Sequence, residues 1–106
     1  MPIVDIEFVA LPKDPIAEPG AQTWADTLGQ VFATPPGRTW IRLRRLDTAA
    51  YAENGMPIAE DARPVFVHVL LARWPDEPAL SRQMSAVTAA VAQLSGRPAE
   101  SVHVQY

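Results

Sequence analysis

The sequence contains no cysteine, a single lysine, and no apolar run near the ~18 residues that a membrane-spanning helix requires. Without cysteine there is no disulfide framework and no thiolate nucleophile. Two histidines are too few of the usual donors for a zinc site, which takes about four ligands. No metal or organic cofactor is expected. A net charge of −3 leaves no broad basic surface, so nucleic acid is not an expected partner. The first residues lack a signal-peptide pattern, and with no spanning segment the expectation is a cytoplasmic protein with no membrane partner. No Gly-rich phosphate loop and no Ser-His-Asp order stands out, so nucleotide-binding and hydrolase chemistry find no support.

What is present reads as one domain over residues 1–106, with 48% hydrophobic and 20% charged residues, an ordinary balance for a folded chain. The basic residues are skewed toward arginine, with Lys13 the lone exception. Arginine is always charged and grips carboxylates with a planar fork, so its positions carry information.

Val4, Ile6 and Phe8 alternate with Asp5 and Glu7, the period of a half-buried strand. The stretch LPKDPIAEPG breaks it. From about Pro19, Ala21, Trp24, Ala25, Leu28, Val31 and Phe32 recur at helical spacing, and TPPG is the expected stop. TWIRLRRL alternates again, with Ile41 and Leu43 on one face and Trp40, Arg42 and Arg44 on the other. A connecting loop, 47–63, follows. PVFVHVLLA is then nearly continuously apolar, which predicts a strand over 65–72 buried on both faces. Leu80, Met84, Val87, Val91 and Leu94 give the strongest helical pattern, ended by Ser95-Gly96, and SVHVQY is a last strand.

The order therefore repeats, with one β-α-β unit over 2–46 and another over 64–106. PIVDIEFVA overlays PVFVHVLLA, and TWIRL overlays SVHVQ. A helical crossover makes the strands of each unit parallel. If the two units pair about a pseudo-twofold axis, their first strands lie antiparallel, and Pro2 comes near Ala72, Arg73 and Trp74. The expected fold class is α+β, a four-stranded mixed sheet with two helices on one face. So short a chain cannot cover the other face, which points to an oligomer.

The proline directly behind Met1 has a chemical consequence. Once Met1 is trimmed, the Pro2 nitrogen is a secondary amine on a rigid ring rather than an amide. A terminal proline heading an apolar strand, two β-α-β units and a closing SVHVQY together resemble the tautomerase superfamily (4-oxalocrotonate tautomerase, malonate semialdehyde decarboxylase, macrophage migration inhibitory factor) over essentially the whole chain. The resemblance implies a homotrimer with sites at subunit interfaces and a small carboxylate substrate. It implies Pro2 as general base, Arg73 as carboxylate anchor, and His103 as a donor to a developing enolate oxygen. It also implies Gln105 and Tyr106 as pocket-lining groups on the last strand. Arg42 is the first unit's counterpart of that strand, and Trp74 stands beside Arg73 as a possible wall; both are candidate substrate contacts. The expected activity is cofactor-independent tautomerisation of a small enol or keto acid. The alternatives are dehalogenation or decarboxylation of a three-carbon acid, or a non-catalytic trimeric binding protein. Two departures stand out. Pro75 occupies the place of a second cationic residue in the turn, and the sequence stops at Tyr106 where relatives run on into a pocket-lining segment. Tyr51, Asn54 and Met56 in loop 47–63 are the candidate substitute.

Overall fold

A computed structural model describes residues 2–11, 20–58 and 63–106; Met1, Lys13 and Pro19 lie outside them. Strand β1 (Ile3–Ala10) forms where alternation puts Val4, Ile6 and Phe8 on one side. Helix α1 (Ala21–Val31) buries Trp24 and Leu28. It ends before the prolines. The Thr34 N–H bonds the Gly29 carbonyl at 3.0 Å and the Ala33 N–H bonds the Gln30 carbonyl at 3.1 Å. This is the paired closure of a Schellman turn, with Ala33 at φ 54° in the left-handed position glycine usually takes. Pro35 and Pro36 therefore follow a helix that has already stopped.

Strand β2 (Trp40–Asp47) runs beside β1, and β3 (Val65–Leu70) follows the loop. Helix α2 (Glu77–Ser95) starts at Asp76, whose carboxylate accepts the Ala79 N–H at 3.0 Å, with Pro78 in its first turn. It stops at Gly96, φ 71°. Strand β4 (Val102–Gln105) closes the chain.

The sheet order is β2-β1-β3-β4, with β1/β2 and β3/β4 parallel and β1/β3 antiparallel. Both parallel ladders join residues 37 apart, Ile3 with Trp40 and Val65 with Val102. The two halves thus use crossovers of equal reach. Val4, Ile6 and Phe8, Val65, Val67 and Val69, and Val102 pack against Trp24 and Leu28 of α1 and Val87 and Val91 of α2 in one core. Both helices therefore cover the same face.

One expectation needs correction, the overlay of the two units. The apolar run after Pro64 is covered on one face by its own chain, the other being the face expected to be covered in an oligomer. Val65, Val67 and Val69 are buried, whereas His68 is exposed and Leu70 is 64% exposed. The apolar Phe66 and Leu70 stand on the open side, where an alternating strand normally carries polar groups, so the run reads as continuous although only one face is covered. The overlay of Pro2 on Pro64 is one residue out. It maps Val4, which faces the helices, onto Phe66, which faces away, and in a strand a one-residue slip reverses every side chain.

Candidate active site

The uncovered face of the sheet is organised in cross-strand rows. Ile3 stands between Trp40 and Leu70. One step along, on the same face, Asp5 stands between Arg42 and His68, with Gln105 beyond. Next, Glu7 stands between Arg44 and Phe66, with His103 beyond. Arg42 is fully engaged in its row: its Nε and Nη2 donate to the two Asp5 carboxylate oxygens at 2.5 and 2.8 Å. Arg44 approaches the same carboxylate at 3.9 Å. The Arg42 hydrogen bond, helped by both arginine charges, holds the Asp5 carboxyl below its ordinary 3.8. The same bond raises Arg42 above its ordinary value. A cavity of about 250 Å³ opens among Asp5, Ile6, Glu7, Arg44, Phe66 and His68. His103 stacks on Phe66 at 5.6 Å between centroids, and Tyr51 tilts against the same ring at 5.9 Å. The Tyr51 hydroxyl donates to Glu53 at 2.7 Å, which raises its pKa.

A different group gathers at the end of the sheet where β1 begins and β3 finishes. Pro2 is buried there, its carbonyl accepting the Trp40 N–H at 3.0 Å. The β1/β3 register, continued one step past Ile3 and Leu70, sets Leu71 opposite Pro2. The chain then turns through Arg73, which is exposed, to Trp74, which is 61% exposed. Tyr106, directly after β4, meets Trp74 with ring centroids 6.3 Å apart and planes at 87°. Its hydroxyl donates to Gln83 Oε1 of α2 at 2.5 Å. Burial pushes the Tyr106 pKa up to about 12.

One chain therefore collects Pro2, Arg73, Trp74 and Tyr106 at a single end. It does not bring the other candidates there. His103 lies level with Glu7, five residues along β1 from Pro2, roughly 17 Å at strand rise. Arg42 and Gln105 lie level with Asp5 on the open face. The loop bearing Tyr51, Asn54 and Met56 leaves from Asp47, beside Ala10, and Tyr51 reaches Phe66. Within one chain it borders the opposite end of the sheet and makes no wall for Pro2. The sequence reading missed two partners. Asp5 was legible, because it shares a polar face with Arg42 on strands expected to pair. Gln83 was not, because its bond to Tyr106 spans 23 residues and joins a helix to the strand end. Among the described residues, no group of three or more histidines and carboxylates stands ready to hold a metal ion. Nor is any helix long and apolar enough to cross a membrane.

No protein-family model matches the sequence, and no curated protein matches it. Solved structures do match in fold. A fused 4-OT solved as a symmetric trimer aligns with TM-score 0.72 at 10% identity, covering 97% of this chain and 83% of its own. A malonate semialdehyde decarboxylase inhibited by 3-bromopropiolate gives 0.69 at 18% identity, covering 96% and 79%. Macrophage migration inhibitory factor from Giardia lamblia gives 0.65 at 16%, covering 98% and 95%. The chain has the fold of the tautomerase superfamily.

Proposed function

We propose that the chain is a cofactor-independent tautomerase of a small enol or keto carboxylic acid, in which Pro2, freed by removal of Met1, is the general base. The observation that supports this reading is the burial of Pro2 at the end of the sheet where β3 finishes, with Leu71 opposite it in register and Arg73 two residues further along the chain. A free α-amine titrates near ~7.7–8, and burial and a nearby cation both lower that value. A neutral amine poised near working pH can take a proton from oxygen or carbon and return it. Arg73 holds the substrate carboxylate with its planar fork. Tyr106 shapes the pocket with its ring, because its hydroxyl proton is committed to Gln83.

His103 and Gln105 serve the Pro2 end of an adjoining copy in a cytoplasmic homotrimer. Their place on the open face, away from Pro2 of their own chain, supports this, and the solved symmetric trimers of the fold give it a precedent. Arg42 joins as a substrate contact only by exchanging Asp5 for the substrate carboxylate. A second reading, dehalogenation or decarboxylation of a three-carbon acid, has the fold similarity to a malonate semialdehyde decarboxylase and to a member of the cis-3-chloroacrylic acid dehalogenase family behind it. Pro75, where the resemblance places a second cation, weighs against it.

The test is ketonisation of enol acids, phenylenolpyruvate and 2-hydroxymuconate among them, followed by ultraviolet absorbance, with the amino terminus established by intact mass. Pro2→Ala exchanges the rigid secondary amine for a freely rotating primary one and should lower kcat. Acetylation of the Pro2 nitrogen, which removes the base, should lower it at least ~100-fold, the usual contribution of a positioned acid–base group. Turnover that survives acetylation of the Pro2 nitrogen refutes the assignment of the base. No turnover by a protein that begins at Pro2 leaves the decarboxylase reading or a silent trimer.

A further inference from the structure

The open face of the sheet holds a cavity of about 250 Å³ that one chain builds alone, from Asp5, Ile6, Glu7, Arg44, Phe66 and His68. Glu7 and Arg44 are direct partners in the β1/β2 register, where opposite charges ordinarily pair across the strands. Here they do not. Arg44 leans instead toward Asp5, which it approaches only to 3.9 Å, and Asp5 is already held by two hydrogen bonds from Arg42. Among the described residues the Glu7 carboxylate makes no hydrogen bond or ion pair. A carboxylate and a guanidinium thus line one cavity side by side without satisfying each other. Its apolar side is Phe66, whose ring rests against Tyr51 at 5.9 Å and His103 at 5.6 Å.

We propose that this cavity is a second binding site, for a small zwitterion: a free α-amino acid with an aliphatic side chain. Its carboxylate takes the Arg44 fork, its ammonium takes the Glu7 carboxylate, and its side chain covers Phe66. Both charges are needed. A bare anion meets Glu7 and a bare cation meets Arg44, so each is opposed by a like charge that a zwitterion answers. The volume is small against the ~300–1,000 Å³ of clefts that hold drug-sized ligands, which limits the occupant to about one amino acid. The site rests on neither Pro2 nor the tautomerase reading. Asp5 and Glu7 stand three and five residues along the chain from Pro2, roughly 10 and 17 Å at strand rise.

Amide chemical shifts of the full chain, titrated with L-leucine, 4-methylpentanoate and isoamylamine, read affinity and position together. The second compound lacks the ammonium and the third lacks the carboxylate. L-Leucine should bind about threefold more tightly than either, the effect of one exposed ion pair, with the largest shifts at Glu7, Arg44 and Phe66. Glu7→Gln should abolish the preference over 4-methylpentanoate and keep that over isoamylamine; Arg44→Gln should do the converse. High salt should shrink both preferences, because the charges are screened. Equal affinity for the three compounds in the parent overturns the proposal, and that comparison stands even if a variant fails to fold. So do shifts centred on Leu71, Arg73 and Trp74, which place the ligand at the Pro2 end. Absence of binding overturns it too, as when adjoining copies fill the cavity. L-Leucine held at Glu7 and Arg44 by a protein that ketonises nothing upholds the site and defeats only the tautomerase reading.

Discussion

Tyr106 gives a stability prediction whose sign changes with pH. Its hydroxyl ordinarily titrates at 10 and in the fold is pushed up to about 12 by burial. The folded state therefore keeps the phenol proton at a pH where the unfolded chain has lost it. Below pH 10 both states hold the proton and the contribution is complete. Between about pH 10 and 12 the unfolded state sheds it first, so stability falls as pH rises. At 1.36 kcal/mol per pH unit the full effect is about 2.7 kcal/mol, reduced to about 2 because the ring is only partly buried. Tyr106→Phe keeps the ring and removes both the titration and the bond to Gln83. At pH 7 the variant should be less stable by about 1 kcal/mol, the usual net value of one such bond. By about pH 11 the parent should have lost that margin, and above it the variant should be the more stable protein. Urea denaturation followed by circular dichroism at pH 7, 9, 10 and 11 measures the difference, in which Tyr51 cancels because both proteins carry it. A margin that stays constant from pH 9 to 11 refutes the reasoning, and so does a 295 nm titration of Tyr51→Phe that finds Tyr106 ionising near 10.

Asp5→Asn removes the carboxylate that Arg42 holds through two hydrogen bonds, but the Arg42 side chain is 61% exposed, so the loss of stability at pH 7 should be small. That margin should be full above pH 3.8 and vanish as acid drives the pH down through the lowered Asp5 value, in denaturant melts compared with the parent. Ala33→Gly should stabilise by roughly 0.5–1 kcal/mol, since relief of the left-handed conformation at φ 54° outweighs the greater freedom of glycine in the unfolded chain; a lower denaturation midpoint would count against the Schellman closure.

The fold was legible where the pattern was local. Val4, Ile6 and Phe8 announced β1, and the spacing from Leu80 to Leu94 announced α2, because both faces of those elements differ in polarity. It was less legible where polarity does not distinguish the faces: Phe66 and Leu70 are apolar and point away from the helices, so the pattern of β3 alone does not say which face the helices cover. The overlay of the two units went astray by one residue because its anchors, Pro2 and Pro64, lie at the strand heads, where side-chain alternation has not yet begun. The Pro2 end was legible in outline, since repeat and antiparallel pairing alone carry Arg73 toward it. Its wall was not, since Trp74, Tyr106 and Gln83 meet only after the chain has folded.

The sheet order leaves β2 as an outer strand eight residues long, and β4, on the other side, is only four. Among the described residues no strand pairs with the side of β2 that faces away from β1, and such a row of backbone groups can template a further strand, the geometry by which sheets grow into aggregates. Arg44, with its side chain 60% exposed, stands on that strand, while Arg42 and Arg45 are paired with Asp5 and Asp47, and like charges brought edge to edge repel. Colloidal behaviour of the free chain is therefore governed at one border: high salt, which screens the guanidinium charges, lowers the barrier to fibrous stacking there, whereas the short β4 border offers little to stack upon.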